Sequence, residues 1–311
     1  MLMLSGCSGQ GESEPSVREY VDAAVADMSG GLYATGTDWD AALADALPEL
    51  YAQNAIAGTH PGLDELVGVA GGLHSRLDTP AEAAGNEQQY APAADFQVPS
   101  VTTTDGIGIV ILPAFNGGEA ESVDRYQDAG IEGIRAAAEE TTCGWIIDLR
   151  TNSGGNVFPM LSTIAPMLTA GRVFGLEDRD GATEWMTVEN GALQSDLAAV
   201  PPATPDFTID QPVAILTGDL TASAAEAVVV AFHGQAQTAR FGAPTAGLTT
   251  GNERFWLEDG AKLIVTTSYY VDREGTMFNG PIAPDVPVDA WKTPAAQEAA
   301  SAWLRTQCNE N

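Results

Sequence analysis

The chain has 311 residues, of which 44% are hydrophobic and 18% charged, a balance typical of a folded protein with one or two domains. The 43 acidic and 13 basic residues give a formal net charge of −30 at pH 7. Such a surface repels nucleic acid and anionic lipid headgroups, so the composition excludes nucleic acid as a partner and argues against membrane docking through basic patches.

The N-terminus contains a candidate targeting signal. Residues 4–7 resemble a bacterial lipobox, in which Cys7 becomes the lipidated first residue, and the polar stretch 10–16 is typical of a tether. Only six residues precede Cys7, and none of them is basic. Two explanations stay open: the start is truncated, or the match is chance. The first predicts an extracytoplasmic protein that meets the membrane only through the lipid on Cys7.

Hydrophobic periodicity, and the positions of residues that break helices and strands, divide the chain into segments. These are a signal remnant and tether (1–15), an N-terminal helical segment (16–78), a connection (79–105), a core (106–291) and a C-terminal helix or tail (292–311). The helical segment is predicted to hold a helix opened by a capping box at 16–19, a second that starts near Thr37 or Asp38 and is interrupted by Pro48, and a third over 62–73. Residues 79–100 lack periodicity and favour a surface connection.

From residue 106 onward, apolar strands alternate with helices. The predicted strands cover 107–112, 143–149, 213–216, 240–243, 253–258 and 262–271. The predicted helices cover 123–140, 157–168 and 224–233. This alternation predicts an α/β fold, whose active groups lie at the ends of strands.

Two strand-to-helix junctions carry candidate chemistry. Ser223 precedes the predicted helix at Ala224, where free N–H groups and the positive helix end stabilise negative charge. Taken alone, such a serine is more often a helix N-cap than a nucleophile. Gly154 and Gly155 stand at the other junction, where a glycine pair either presents N–H donors to a ligand or makes only a tight turn. Together the junctions supply what acyl transfer needs, a nucleophile and separate donors.

Four motifs, in this order, resemble those of the C-terminal processing, or tail-specific, serine peptidases. They are GWIIDLRTNSGG (144–155), TASAAE (221–226), FGAPTAG (241–247) and GPIAPD (280–285). The resemblance spans roughly residues 106–288, more than half of the chain.

The resemblance implies a fold and a set of site residues. The fold is α/β, with a crotonase-like core of ββα units behind the N-terminal helical segment. Ser223 is the nucleophile, and the oxyanion hole combines the N–H of Ala224 with that of Gly154 or Gly155. Glu226 matches a family position and is expected to be structural.

The chain departs from the family pattern at two places. The best-known members use a lysine after the Pro-Thr-x-Gly motif as general base, but Leu248 stands at that position. Lys262 lies in a later strand and does not replace it. The peptide-binding PDZ module that the family inserts before its core has no room here, because residues 79–100 are far too few for such a domain.

Histidine is the usual substitute for the missing base, because its pKa lies near neutral pH. The chain has three histidines. His60 lies in a turn before a proline. His233 ends the helix that begins after Ser223, so we expect its side chain to point away from the nucleophile.

His74 is therefore the candidate base. Its surroundings, GGLHS (71–75), resemble an element before the core of lysine-less relatives, the tricorn-type peptidases among them, in which the histidine is the base. A base of this kind is oriented by a carboxylate or another acceptor. Asp272 is the nearest acidic candidate for that role, and a salt-bridged strand end is the other interpretation of it.

These residues predict an extracytoplasmic serine peptidase that acts on a peptide or protein substrate. No Cys or His cluster has metal-ligand spacing and no nucleotide-binding glycine motif is present, so neither metal nor cofactor is expected. A catalytically inactive ligand- or peptide-binding lipoprotein on the same fold also fits the missing lysine. A crotonase-type acyl-CoA enzyme leaves Ser223 unexplained. Outside the cytoplasm, Cys143 and Cys308 fit either a disulfide or two buried thiols.

Overall fold

A computed structural model describes residues 15–90 and 96–310 of the chain. Within these ranges the chain is a mixed α/β protein with eight α-helices and 13 strands. It forms two compact units: unit 1 holds residues 15–83 and Glu253–Val265, and unit 2 holds the other described residues. Cys7 lies outside the described ranges. No helix within them has the length and apolar character that a membrane crossing requires.

The element bounds are as follows. The helices are α1 (Val17–Met28), α2 (Gly36–Tyr51), α3 (His60–Gly71), α4 (Pro80–Tyr90), α5 (Ala120–Ala138), α6 (Val157–Ile164), α7 (Ala224–Ala231) and α8 (Ala295–Glu310). The strands are β1 (Arg76–Asp78), β2 (Ser100–Thr104), β3 (Ile107–Ile111), β4 (Gly144–Asp148), β5 (Gly171–Asp178), β6 (Thr183–Glu189), β7 (Ala192–Gln194), β8 (Val213–Thr217), β9 (Thr238–Gly242), β10 (Thr250–Trp256), β11 (Lys262–Asp272), β12 (Met277–Phe278) and β13 (Val286–Pro287).

Unit 1 is a helical body around one apolar cluster. The predicted capping box opens α1: the Ser16 N–H donates to Glu19 Oε2 at 2.9 Å, and the Glu19 N–H donates to Ser16 Oγ at 3.3 Å. The cluster draws on α1, α2, α3 and the start of β11, which pairs with β1. The predicted first and third helices are confirmed, with bounds that differ by a few residues.

The interruption predicted at Pro48 is wrong, because α2 runs through it to Tyr51. Pro48 lies in the last turn of α2, so its missing N–H removes only one hydrogen bond. Trp39 and Leu50 are buried on the two sides of it and anchor the helix in the cluster.

The predicted connection over 79–100 is wrong for its first part, which forms α4. The Thr79 N–H donates to Glu82 Oε2 at 2.9 Å, and the Glu82 N–H donates to Thr79 Oγ1 at 3.4 Å. This is a capping box with Pro80 at the first helical position. The sequence carries this Thr-Pro-x-Glu signal, and the low hydrophobic periodicity of the segment conceals it.

Unit 2 is built on a six-stranded sheet in the order β13-β9-β8-β4-β3-β2. All pairs are parallel except β2 with β3. All five residues of β8 are buried, as expected of a strand covered on both faces. Because β4 and β8 are parallel neighbours, the loops after them, with the glycine pair and Ser223, leave the same edge of the sheet.

A second set of strands in unit 2 is antiparallel, in the order β11-β5-β6-β7, with β12 also paired to β11. The sequence analysis does not predict β5, β6 or β7. In β5, exposed ends flank a continuous buried centre, so period-two alternation is weak there, and β7 has only three residues.

Two links fasten the C-terminal helix to the parallel sheet. A disulfide joins Cys143, just before β4, to Cys308 in α8, which decides between the two interpretations of these cysteines. Arg150, at the end of β4, pairs with Asp148 at 2.6 Å and donates to the carbonyls of Trp291 and Thr293 at 3.0 Å each. Together they hold the segment before α8 against the sheet.

Candidate active site

Ser223 is the N-cap of α7, at the junction that follows β8. Its backbone has φ 51° and ψ −118°, a left-handed conformation that residues with a Cβ rarely adopt. A conformation of this kind costs about 1–3 kcal/mol, and it persists only where the surrounding contacts enforce it. Such residues cluster at functional sites, so the strain at Ser223 favours a role beyond capping.

The helix behind Ser223 is part of the core of unit 2. Every residue of α7 is buried, including Glu226. A helix that is apolar nearly all round belongs in an interior. Ser223 itself is half-buried, so a rigid helix presents it at a surface that a substrate can reach.

Glu226 fastens the Ser223 junction to the loop after β9. Its carboxylate accepts hydrogen bonds from the N–H groups of Ser223 (2.9 Å), Gly247 (2.8 Å) and Leu248 (2.7 Å) and from the hydroxyl of Thr245 (2.5 Å). Burial raises the pKa of Glu226, although these hydrogen bonds oppose the shift. The contacts fit the structural role expected of this residue, because they fix the backbone that carries Ser223.

Leu248 stands where the resemblance predicts a lysine. Its N–H is bound to Glu226, and its side chain is half-buried. An alkyl side chain can neither accept nor donate a proton, so this loop supplies no general base.

Gly154 presses against the Ser223 junction. A Cβ atom on Gly154 would lie 2.7 Å from the Ala222 carbonyl oxygen, 2.8 Å from Ser223 Cβ and 3.1 Å from the Ala224 nitrogen. Gly154 has φ 98° and Gly155 has φ 123°, which L side chains rarely adopt. Gly154 therefore permits an approach to the Ser223 junction that a residue with a Cβ would not allow.

Asn152 joins the two loops, and the sequence analysis missed it. Its side chain is fully buried, donates to the Leu112 carbonyl at 2.8 Å and accepts from the Gly154 N–H at 2.9 Å. Its own carbonyl accepts from the Ala222 N–H at 3.1 Å. One residue thus sets the position of both the glycine turn and the loop before Ser223.

The contact with Asn152 also decides which N–H groups are available. The Gly154 N–H is occupied by the Asn152 side chain. Neither the Gly155 N–H nor the Ala224 N–H donates to an acceptor among the described residues. Of the three N–H groups predicted for an oxyanion hole, those of Gly155 and Ala224 are thus the two without an acceptor among the described residues, whereas the Gly154 N–H has one.

Tyr270, on β11, is the other residue of this site that the sequence analysis missed. It is 4% exposed and lies close enough to Ser223 for that side chain to influence its pKa. Burial raises the pKa of Tyr270 well above its usual range, so the phenol stays protonated. A tyrosine in a strand rich in aromatic and β-branched residues gives no sign of this proximity in the sequence.

His74 belongs to unit 1, in the short stretch between α3 and β1. Burial and the neighbouring positive charge of Arg76 lower the pKa of His74 from 6.5 to about 4. The imidazole is therefore neutral at physiological pH.

Asp272 has partners within unit 2. One carboxylate oxygen bonds His233 Nδ1 at 2.6 Å, and the other accepts from the N–H groups of Glu274 and Thr276. Burial of Asp272 acts to raise its pKa, but the hydrogen bonds outweigh it and the pKa is lowered. Asp272 is thus a charged partner of His233 at a strand end, and its role toward His74 stays a prediction.

His60 is engaged within the core of unit 1. Its Nε2 lies 2.8 Å from Asp259 Oδ2, and the Tyr20 hydroxyl donates to Asp259 Oδ1 at 2.9 Å. His60 is 7% exposed. These contacts give it a structural function in the packing of unit 1.

The sequence matches the model of peptidase family S41 over residues 106–288, which is more than half of the chain. The chain belongs to peptidase family S41. The matched range includes the glycine pair, Ser223, Glu226 and Leu248.

Relatives of known name resemble the chain along most of its length. The nisin-resistance protein of Lactococcus lactis subsp. lactis is 25% identical over 299 residues, which cover 94% of this chain and 88% of that protein. A lipoprotein from Streptococcus agalactiae is 26% identical, with a TM-score of 0.81 over 96% of this chain and all of that one. The photosystem II D1 C-terminal processing protease has a TM-score of 0.68 at 15% identity, over 93% of this chain and 97% of that one.

Proposed function

We propose that this S41 family member is an active serine peptidase of the cell envelope. The observation that carries the proposal is the arrangement at one edge of the parallel sheet: a strained Ser223 packed against Gly154, with the Gly155 and Ala224 N–H groups lacking acceptors among the residues that the structure describes. A fold that retained only a binding function has no need for the strain or for the unused donors.

The proposed reaction is acyl transfer to Ser223. Ser223 Oγ attacks the carbonyl carbon of a peptide bond while the imidazole of His74 takes the hydroxyl proton. The N–H groups of Gly155 and Ala224 stabilise the negative charge on the former carbonyl oxygen. The imidazolium then protonates the leaving amine, and a water molecule, deprotonated by His74, hydrolyses the acyl-enzyme and restores Ser223.

Two further features of the proposal come from the relatives. The similarity to a lipoprotein supports a cell-envelope location, with Cys7 as the lipidated residue. The S41 membership supports a crotonase-like arrangement of the core in unit 2.

The substrate we propose is a peptide, with a preference for a cationic one. A net charge of −30 attracts positively charged ligands and raises the rate at which they meet the protein. The similarity to a nisin-resistance protein makes nisin the first peptide to test as a substrate.

The competing function is a catalytically inactive binding lipoprotein on the same fold. The replacement of the family's lysine by Leu248 favours it, because the usual base is gone. The two functions differ in one measurement, since a binding protein leaves nisin intact in a mass spectrum and a peptidase releases fragments.

The pH dependence of Ser223 reactivity is expected to reflect the lowered pKa of His74. A general base acts in its neutral form, and a pKa of about 4 keeps His74 neutral over a wider range than 6.5 does. The second-order rate of labelling by a fluorophosphonate probe is therefore expected to stay constant from pH 8 to about pH 5 and to fall by half near pH 4.

Circular dichroism at each pH shows whether the protein is still folded, so that acid unfolding is not mistaken for protonation of the base. A labelling rate that halves near pH 6.5 would mean that an ordinary histidine is the base, and would count against this environment for His74.

A further inference from the structure

We propose that Trp291 is a positioning residue that holds the loop after β8 in the form that presents Ser223 for attack. The proposal deepens the peptidase function proposed above and rests on it. Trp291 lies just beyond residues 106–288, the range that matches the S41 family model, so the family motifs assign it no role. Its indole packs on Gly218, the first residue of the loop that leads from β8 to Ser223.

The packing of Trp291 on Gly218 leaves no space between the two residues. A Cβ atom on Gly218 would lie 2.2 Å from Cζ3, 2.5 Å from Cε3 and 2.5 Å from Cη2 of Trp291. The six-membered part of the indole therefore lies against the backbone of Gly218. Trp291 is half-buried and packs against the apolar cluster between α8 and the parallel sheet. A ring packed in this way keeps the loop out of the space that the ring fills.

The backbone that carries the indole is itself fastened to the parallel sheet. The Trp291 carbonyl oxygen accepts a hydrogen bond from Arg150 Nη1 at 3.0 Å, and the same nitrogen donates to the Thr293 carbonyl. Asp148, at the end of β4, holds the guanidinium through two hydrogen bonds, 2.9 Å from Nε and 2.6 Å from Nη2. A bidentate pair of this kind fixes the direction of the arginine side chain. The indole is thus supported by the same sheet edge that carries the site.

The loop after β8 transmits this contact to Ser223. The Gly218 N–H donates to Thr221 Oγ1, and the Thr221 N–H donates to the Gly218 carbonyl, each at 2.9 Å. Thr221 Oγ1 also donates to the Leu149 carbonyl at 2.9 Å, and Thr221 is fully buried. These bonds close one tight turn, and Ala222 alone separates that turn from Ser223. A displacement of Gly218 therefore moves the backbone of the nucleophile, and small displacements of a reacting group are costly.

The kinetic test compares Trp291→Ala with Trp303→Ala. Trp303 is the matched control, because it is also half-buried in the C-terminal part of the chain but packs on Phe241, with 5.8 Å between ring centroids. With nisin as substrate, we expect Trp291→Ala to lower kcat roughly 10- to 100-fold and to change KM by less than about threefold. Trp303→Ala is expected to keep the wild-type kcat, although both variants lower the urea concentration at the midpoint of unfolding. Trp291→Phe restores an aromatic ring and is expected to recover most of kcat.

A double-mutant cycle tests the contact itself. Gly218→Ala places a methyl group against the ring, and the φ of Gly218 lies outside the positive region that strains alanine. We expect Gly218→Ala to lower kcat about as much as Trp291→Ala does. In the Trp291→Ala background it is expected to cost less than about threefold, because no ring opposes the methyl group. The urea midpoint is expected to show the same non-additivity, and it is measured without activity. Additive effects in both measurements would overturn the contact.

The outcomes separate this proposal from the one on which it rests. A wild-type protein that neither cleaves nisin nor reacts with a fluorophosphonate probe overturns the peptidase function, and the positioning role with it. An active wild type whose Trp291→Ala variant has the same kcat as Trp303→Ala overturns the positioning role alone. A loss of kcat that Trp291→Phe does not recover also overturns it, because the aromatic ring is then not what holds the loop.

Discussion

Replacement of Ser223 with alanine is expected to lower kcat for peptide hydrolysis by about four to six orders of magnitude. The reason is chemical: without Oγ no acyl-enzyme forms, and only the oxyanion donors and substrate binding remain. The backbone is expected to stay in place, because its φ of 51° is held by Glu226 and by the buried helix α7, which the substitution leaves intact.

Ser153 provides the matched control. It lies next to the glycine pair in the same site but is exposed, and its hydroxyl has no assigned role. Ser153→Ala is expected to retain the wild-type kcat within about threefold, in line with other exposed substitutions. Fragments of nisin, quantified by mass spectrometry over time, give the comparison. A Ser223→Ala protein that cleaves as fast as Ser153→Ala would remove Ser223 from the mechanism.

The second large effect is expected from Gly154→Ala, which changes no reacting group. The added methyl would lie 2.7 Å from the Ala222 carbonyl oxygen and 2.8 Å from Ser223 Cβ, and at φ 98° the backbone is strained for alanine. The Ser223 junction must therefore shift away from the glycine loop. This shift of the junction would move Ser223 Oγ away from the Gly155 and Ala224 N–H groups. We expect kcat to fall by about two to three orders of magnitude as a result.

Gly118→Ala is the control for this substitution. A Cβ there meets no atom within 4 Å, and its φ is not in the region unfavourable for alanine. The two variants are compared by kcat and by the free energy of unfolding in urea. If Gly154→Ala keeps full activity, the close approach of the two loops is not required for catalysis.

The strands and helices of unit 2 that carry the site were largely predictable from the sequence. Five-residue apolar runs such as β4 and β8 are buried on both faces, and that burial leaves an unbroken hydrophobic signal. Ser223 and the glycine pair follow these runs directly, so their approach at one sheet edge is a consequence of parallel pairing. The resemblance of the four motifs to those of serine peptidases then predicts acyl transfer at the two junctions.

The rest of the site depends on contacts between distant parts of the chain. Asn152 acts through the carbonyl of Leu112, just after β3 and 40 residues away in sequence. Tyr270 lies on β11, whose antiparallel pairing with β5 is not indicated by any local sequence pattern. Residue types and their spacing do not reveal which distant parts of the chain lie side by side. The sequence analysis therefore missed Asn152 and Tyr270.

Local signals also compete with one another. Pro48 predicts a helix end, yet α2 continues to Tyr51. The burial of Trp39 and Leu50 stabilises the helix by more than the one lost hydrogen bond costs. The capping box at Thr79 is present in the sequence, but α4 has few apolar residues and offers no periodicity to support it. The pKa of His74 likewise depends on how deeply the folded chain buries the side chain, and the sequence does not reveal that burial.

The most direct test of the account is the rate of fluorophosphonate labelling, with the modified residue located by mass spectrometry, in the wild type, His74→Ala and His233→Asn. We predict an adduct on Ser223 in the wild type and in His233→Asn at similar rates, and labelling slowed by at least about 100-fold in His74→Ala. A wild-type protein without an adduct on Ser223, or a His74→Ala protein labelled as fast as the wild type, would contradict the account.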